Sequence, residues 1–168
     1  MNDFLIIYGC LAAASIIVCL PLSVVIMFKK TTKLGQKIAI AVSVLALLMI
    51  AFLPISKILF VNFSGIEYIK LLFVNIRDNY FELSELFPIQ CSLFFAPAIS
   101  MFILPFYKNG GIIGGILMLL AVCWWFYEIS SLHIGEIGFG AYLYALCAVL
   151  NCFTPLFNRI ENRQFQLS

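Results

Sequence analysis

The sequence predicts an all-α integral membrane protein: a bundle of five transmembrane helices plus one outer amphipathic helix, forming a single domain over residues 1–168. Three observations predict it. Hydrophobic residues make up 64% of the 168-residue chain and charged residues 11%, against about 45–50% and about 25% in a soluble domain. The apolar residues gather into runs that approach or exceed the ~20 helical residues a bilayer core requires. The Lys and Arg residues fall at alternate ends of those runs. A water-soluble fold could not hide this much apolar surface, because even a domain of ~150 residues buries only about 70% of what its unfolded chain exposes.

The first span covers about 4–28, with Pro21 as a kink. Its flank, Met1-Asn2-Asp3, has no Lys or Arg, and the run is longer than the about 7–15 residues of a secretory signal core. The expectation is therefore that it stays in the membrane. The second span covers about 38–60, with Pro54 and Lys57 near its far end. The third covers about 87–107 and carries Pro88, Pro97 and Pro105. The fourth, about 110–128, closes on Trp124-Trp125-Phe126-Tyr127, residues suited to the headgroup level. The fifth covers about 137–157 and contains Asn151 and Pro155.

Between the second and third spans lies Ile66–Phe87. On a helical wheel, Ile66, Ile69, Leu72, Phe73, Ile76, Tyr80, Leu83 and Phe87 share one half, with Leu71, Val74 and Phe81 breaking the pattern. Glu67, Lys70, Arg77, Asp78, Glu82 and Glu85 share the other. Such a segment lies along the interface with its apolar side down.

Positive residues mark the cytoplasmic ends of spans. Lys29, Lys30, Lys33, Lys37, Lys108, Arg159 and Arg163 fall on one side of a five-span arrangement, and Lys57, Lys70 and Arg77 on the other. The expected topology is multi-pass with the N-terminus outside and the C-terminus cytoplasmic, in a plasma membrane of the bacterial inner-membrane type.

Two sets of residues are candidates for contact. Glu67, Asp78, Glu82 and Glu85 form an acidic stripe on the outer helix. Like charges at i,i+3 and i,i+4 repel, so a basic partner surface would relieve them, although water alone could also solvate that face. Gly110, Gly111, Gly114 and Gly115 open the fourth span. Gly138, Ala141, Ala145, Ala148 and Cys152 repeat along the fifth. Small residues at these spacings let helix backbones approach closely in lipid, within the bundle or against another protein.

Catalytic parts are absent from the sequence. H-E-x-x-H, G-x-S-x-G and G-x-x-x-x-G-K-[ST] do not occur. His133 is the single histidine, flanked by Glu128 and Glu136, with no second nitrogen ligand near it. The six cysteines form no C-x-x-C pair and read as small buried hydrophobes. A net charge of +2 without a basic, aromatic-interleaved patch gives no nucleic-acid surface. Polar groups inside the spans are few: Gln90, Ser92, Ser100 and Asn151.

The expected function is non-enzymatic, with no catalytic residue, metal or cofactor. The chain reads as a small polytopic membrane protein, surrounded by lipid, that acts by protein–protein contact. It would serve as an accessory subunit of a membrane complex or as an inhibitor such as an immunity protein, with a membrane-protein partner or a second copy bound. The alternative is a small channel or transporter subunit.

Overall fold

The computed structural model describes residues 14, 17–18, 21–28, 33–58, 61–67, 70, 86–103, 107, 110–132 and 135–167. Helix α1 (Leu34–Phe52) begins after Lys33, whose backbone N–H donates to Gln36 Oε1 at 3.1 Å. A Gln side chain reaching back in this way satisfies one of the donors left open at a helix start. The helix ends where Pro54 follows: Leu53 is extended, with φ −89° and ψ 152°, the conformation that a following proline imposes.

The chain then forms β1 (Pro54–Ile58) and β2 (Val61–Ser64). Helices α2 (Leu86–Ile103) and α3 (Gly110–Leu132) follow, then β3 (Glu136–Ile137) and α4 (Phe139–Leu167). The three strands make one antiparallel sheet in the order β2-β1-β3, with Lys57 opposite Asn62 on one side and Glu136 on the other.

These elements correct the expected boundaries. The second span, expected to reach about residue 60, stops at Phe52, and the residues after it are strand. The proline ends the helix, and β-branched Ile55, Ile58 and Val61 favour the extended form. The helix of the fifth span, expected over about 137–157, begins at Phe139 and continues as helix to Leu167, while Ile137 belongs to the sheet. Among the described residues three helices are long and apolar enough to cross a membrane, Leu34–Phe52, Gly110–Ser131 and Phe139–Ile160, and most of the expected first span, about 4–28, lies outside the described residues. The apolar part of α2, Cys91–Met101, is shorter. Helical backbone also runs over 21–27, where Ile26 packs against buried Ala39 and Ile40 of α1.

The helices close a ring in which α1 meets α4 and α2, and α3 meets α2 and α4. Because β1 leaves α1 and pairs with β3, the C-termini of α1 and α3 and the N-terminus of α4 meet at the sheet. The core is continuous from the ring into the sheet. Trp125 of α3 is fully buried there, and its indole Nε1–H donates to Ile55 O at 3.4 Å. The same carbonyl accepts Gly138 N–H at 2.9 Å.

Two prolines sit inside helices, Pro97 in α2 and Pro155 in α4. Each removes the hydrogen bond to the carbonyl four residues earlier. In lipid an unmet carbonyl is costly, so it needs another donor. Both have one. Leu93 O accepts the buried Tyr144 hydroxyl at 2.9 Å, and Asn151 O accepts the Thr154 hydroxyl at 2.7 Å.

Candidate functional site

The sheet-bearing end carries most of the described charged side chains outside the opposite Lys33/Lys37/Arg159 end. Lys57 Nζ lies 3.4 Å from Glu136 Oε2, across the β1–β3 register. Both side chains are open to solvent, and such a pair contributes about 0–1 kcal/mol. At the end of α3, Trp124 Nε1–H donates to Glu128 Oε1 at 3.2 Å. Strand β2 lies at the sheet edge with Val61 54% exposed. An edge strand presents a row of backbone donors and acceptors that can pair with another chain.

Glu67 has a local role. Ser64 backbone N–H and Ser64 hydroxyl both donate to Glu67 Oε2 at 2.9 Å, and Glu67 N–H donates to Ser64 Oγ at 3.4 Å. This is a capping box, Ser-x-x-Glu, and helical backbone begins after it at 65–67. The Ser64 backbone N–H foremost, then its hydroxyl, holds the Glu67 carboxyl below its ordinary value, with Lys70 adding a smaller push in the same direction. The Ser-x-x-Glu spacing was readable in the sequence, and Glu67, one member of the expected docking stripe, also starts a helix. Asp78, Glu82 and Glu85, the rest of that stripe, lie outside the described residues, as does His133.

The small residues of α3 face two neighbours. A Cβ added at Gly111 would strike Thr154 Oγ1, and one at Gly115 would lie 2.7 Å from Ala148 O and close on Cys152 Sγ, both on α4. At Gly114 it would strike the Ser100 side chain of α2. Gly110 is buried at the start of α3. On α4, Ala141 and Ala148 are fully buried and Ala145 partly so. Gly138, expected in the same helix-facing seam, instead precedes α4 and lies against Pro54 and Ile55 of β1. The sheet, absent from the sequence reading, takes that position.

Inside the ring the helices meet at Asn151, which is fully buried. Its amide Nδ2 lies 3.0 Å from Ser43 Oγ of α1 and 3.2 Å from Ser100 Oγ of α2, with Met118 Sδ of α3 at 3.6 Å. The two serine hydroxyls are 3.1 Å apart. Asn151 Oδ1 has no partner among the described residues. One and two turns on, Thr154 and Asn158 are also buried, and Asn158 Oδ1 accepts Gly35 N–H at 2.9 Å. That bond meets a donor left open in the first turn of α1. Ser43 and Asn158 were not singled out from the sequence. The signal for Asn158 was its position seven residues after Asn151, on one face of a helix.

This cluster is neutral. It has amide and hydroxyl groups to tie helices together but no acid, base or nucleophile matched to a partner. Among the described residues no group of three or more His, Cys, Asp and Glu side chains could hold a metal. Cys91, Cys123, Cys147 and Cys152 are free thiols. No family model matches the chain, and neither a curated protein nor a solved structure matches it.

Proposed function

We propose that the chain is a small polytopic membrane protein that works through protein–protein contact, as an accessory subunit of a membrane complex or as an inhibitor of the immunity-protein kind. The observation that carries this reading is the contrast between the two parts of the molecule. The ring interior is closed by glycines against neighbouring helices and tied by neutral hydrogen bonds. The sheet end offers an exposed edge strand and charged side chains. Surfaces of that second kind accept partners by adding a strand or by charge pairing. In this reading five segments cross the membrane, the Lys33/Lys37/Arg159 end faces the cytoplasm, and the sheet faces outward.

Affinity purification from native membranes in mild detergent tests it. One defined partner should co-purify in stoichiometric amount. Val61→Asp/Asn62→Asp on the edge strand, or Glu82→Lys/Glu85→Lys in the outer helix, should reduce its recovery while leaving the helical content intact. A monodisperse protein with no partner, or recovery indifferent to both double variants, contradicts the reading.

A channel or transporter subunit is the second reading, favoured by one observation: Asn151, Thr154 and Asn158 place buried polar groups along one face of α4. Intramembrane polar groups mark ion and proton routes in such proteins. Flux through liposomes containing the purified protein, abolished by Asn151→Leu, would favour it over a contact role.

A further inference from the structure

Helices α2 and α3 leave a slot of about 450 Å³ between them, with Phe95 and Ala96 on one side and Leu117, Leu120, Ala121 and Trp124 on the other. Its floor is made of two near-buried alanines, Ala96 and Ala121, and its rim of large side chains, with Leu120 63% and Trp124 47% exposed. From Leu117 to Trp124 the slot runs along α3 for about 10 Å at 1.5 Å per residue. Its volume falls in the range of about 300–1,000 Å³ typical of small-ligand sites. A transmembrane helix, about 10–12 Å across, is too wide to enter a slot floored by two alanines and only two turns long. A hydrocarbon chain lying parallel to the helices is not.

The mouth of the slot carries charge. Trp124 closes it on the sheet side, and its indole N–H donates to Glu128 one turn further out. At that end the other carboxylates have cations: Lys57 is paired with Glu136, and Lys70 acts on Glu67. Among the described residues Glu128 has none. An apolar slot thus opens beside an indole ring and a carboxylate with no cation on it among the described residues, at the level where aromatic residues meet headgroups.

We propose that this slot binds one acyl chain of a phospholipid whose ammonium headgroup sits over Trp124 and against Glu128. An ammonium over an indole face gains cation–π attraction, and the carboxylate supplies the opposite charge. An anionic headgroup would meet Glu128 with like charge. The inference needs only that the helices span lipid, and it is independent of whether a protein partner binds the sheet.

The test is native mass spectrometry of the purified protein released from nanodiscs of equal phosphatidylethanolamine and phosphatidylglycerol with identical acyl chains. The wild type should retain one phospholipid, with the ethanolamine lipid favoured about tenfold. Glu128→Gln should still retain lipid but reduce that preference to about twofold or less, as the charge term is lost. Ala121→Phe should abolish retention of both lipids. Leu120→Trp, which narrows the slot from its exposed rim without touching the floor, should do the same. No retained lipid in the wild type, equal retention of the two headgroups, or retention unchanged in both slot-filling variants would overturn the proposal. Partner recovery in the purification described above is read separately, so failure of one assay leaves the other intact.

Discussion

Tyr144 and Thr154 do for Pro97 and Pro155 what backbone amides do elsewhere in these helices. Each hydroxyl donates to the carbonyl its proline has freed. Tyr144→Phe and Thr154→Val keep the shape and remove only the donor. An unmet buried acceptor costs about 1–3 kcal/mol, moderated in membranes because the unfolded reference state also finds partners. Each variant should lower stability by about 1–2 kcal/mol in reversible unfolding in mixed micelles. Pro155→Ala restores an N–H to Asn151 O. In combination with Thr154→Val it should therefore recover part of the loss, a coupling that a double-mutant cycle reads directly. Strict additivity would rule out this role for Thr154. The prolines were visible in the sequence as residues inside the expected spans. Their donors were not, because Tyr144 serves a carbonyl on a different helix 51 residues away.

Glu67 gives a second prediction at this scale. Its carboxyl is held below the ordinary glutamate value by the Ser64 backbone N–H and hydroxyl. A depressed acid contributes stability above its unfolded pKa and loses that contribution as pH falls through the folded one. The turn at 65–67 should be intact at neutral pH and should loosen below pH about 4.5. Hydrogen exchange at the Ser64 amide, followed by NMR in nanodiscs, should accelerate over that window. The window should vanish in Glu67→Gln.

Among elements, α3 carries the closest packing. Gly114 faces the Ser100 side chain and Gly115 the backbone of α4. Gly114→Ala or Gly115→Ala must push a helix outward, and overpacking of this kind costs about 1–3 kcal/mol. Gly115→Ala should cost more, because two backbone atoms, Ala148 O and Cys152 N, lie within 2.8 Å of the new methyl, whereas at Gly114 the nearest backbone atom, Ser100 Cα, is 3.1 Å away. Thermal unfolding of the two variants in one detergent tests the order. Reversal would mean that α3 and α4 separate more easily than α3 and α2. The long helices were legible because composition and run length suffice for them. The run of small residues in α3 was legible for the same reason. The sheet was not. Its second pairing joins Lys57 to Glu136, far apart in sequence, and PISKI is too short to show alternation against the apolar run preceding it. Pro54 held the missing information: read as a residue near a helix end, it is the reason the helix stops and a strand begins. Asn151 drew notice as a polar residue within a span. Its partner Ser43 did not, since one serine among apolar neighbours is ordinary in a membrane helix.

For the whole molecule, the fold sorts charge in space. Lys33, Lys37 and Arg159 lie at one end of the ring, where Gly35 meets Asn158, and Lys57, Glu67, Lys70, Glu128 and Glu136 at the other with the sheet. In the proposed orientation the Lys33/Lys37/Arg159 end would be the cytoplasmic one, as an excess of Lys and Arg near helix ends favours. A contact function needs the sheet end to be accessible from outside. The most direct measurement uses the native lysines. Intact cells are treated with a membrane-impermeant amine reagent, and labelled sites are mapped by peptide mass spectrometry. Lys57 and Lys70 should label in intact cells, while Lys33 and Lys37 should label only after the membrane is opened. Labelling of Lys33 and Lys37 with Lys57 and Lys70 protected would place the sheet in the cytoplasm and contradict the proposed orientation.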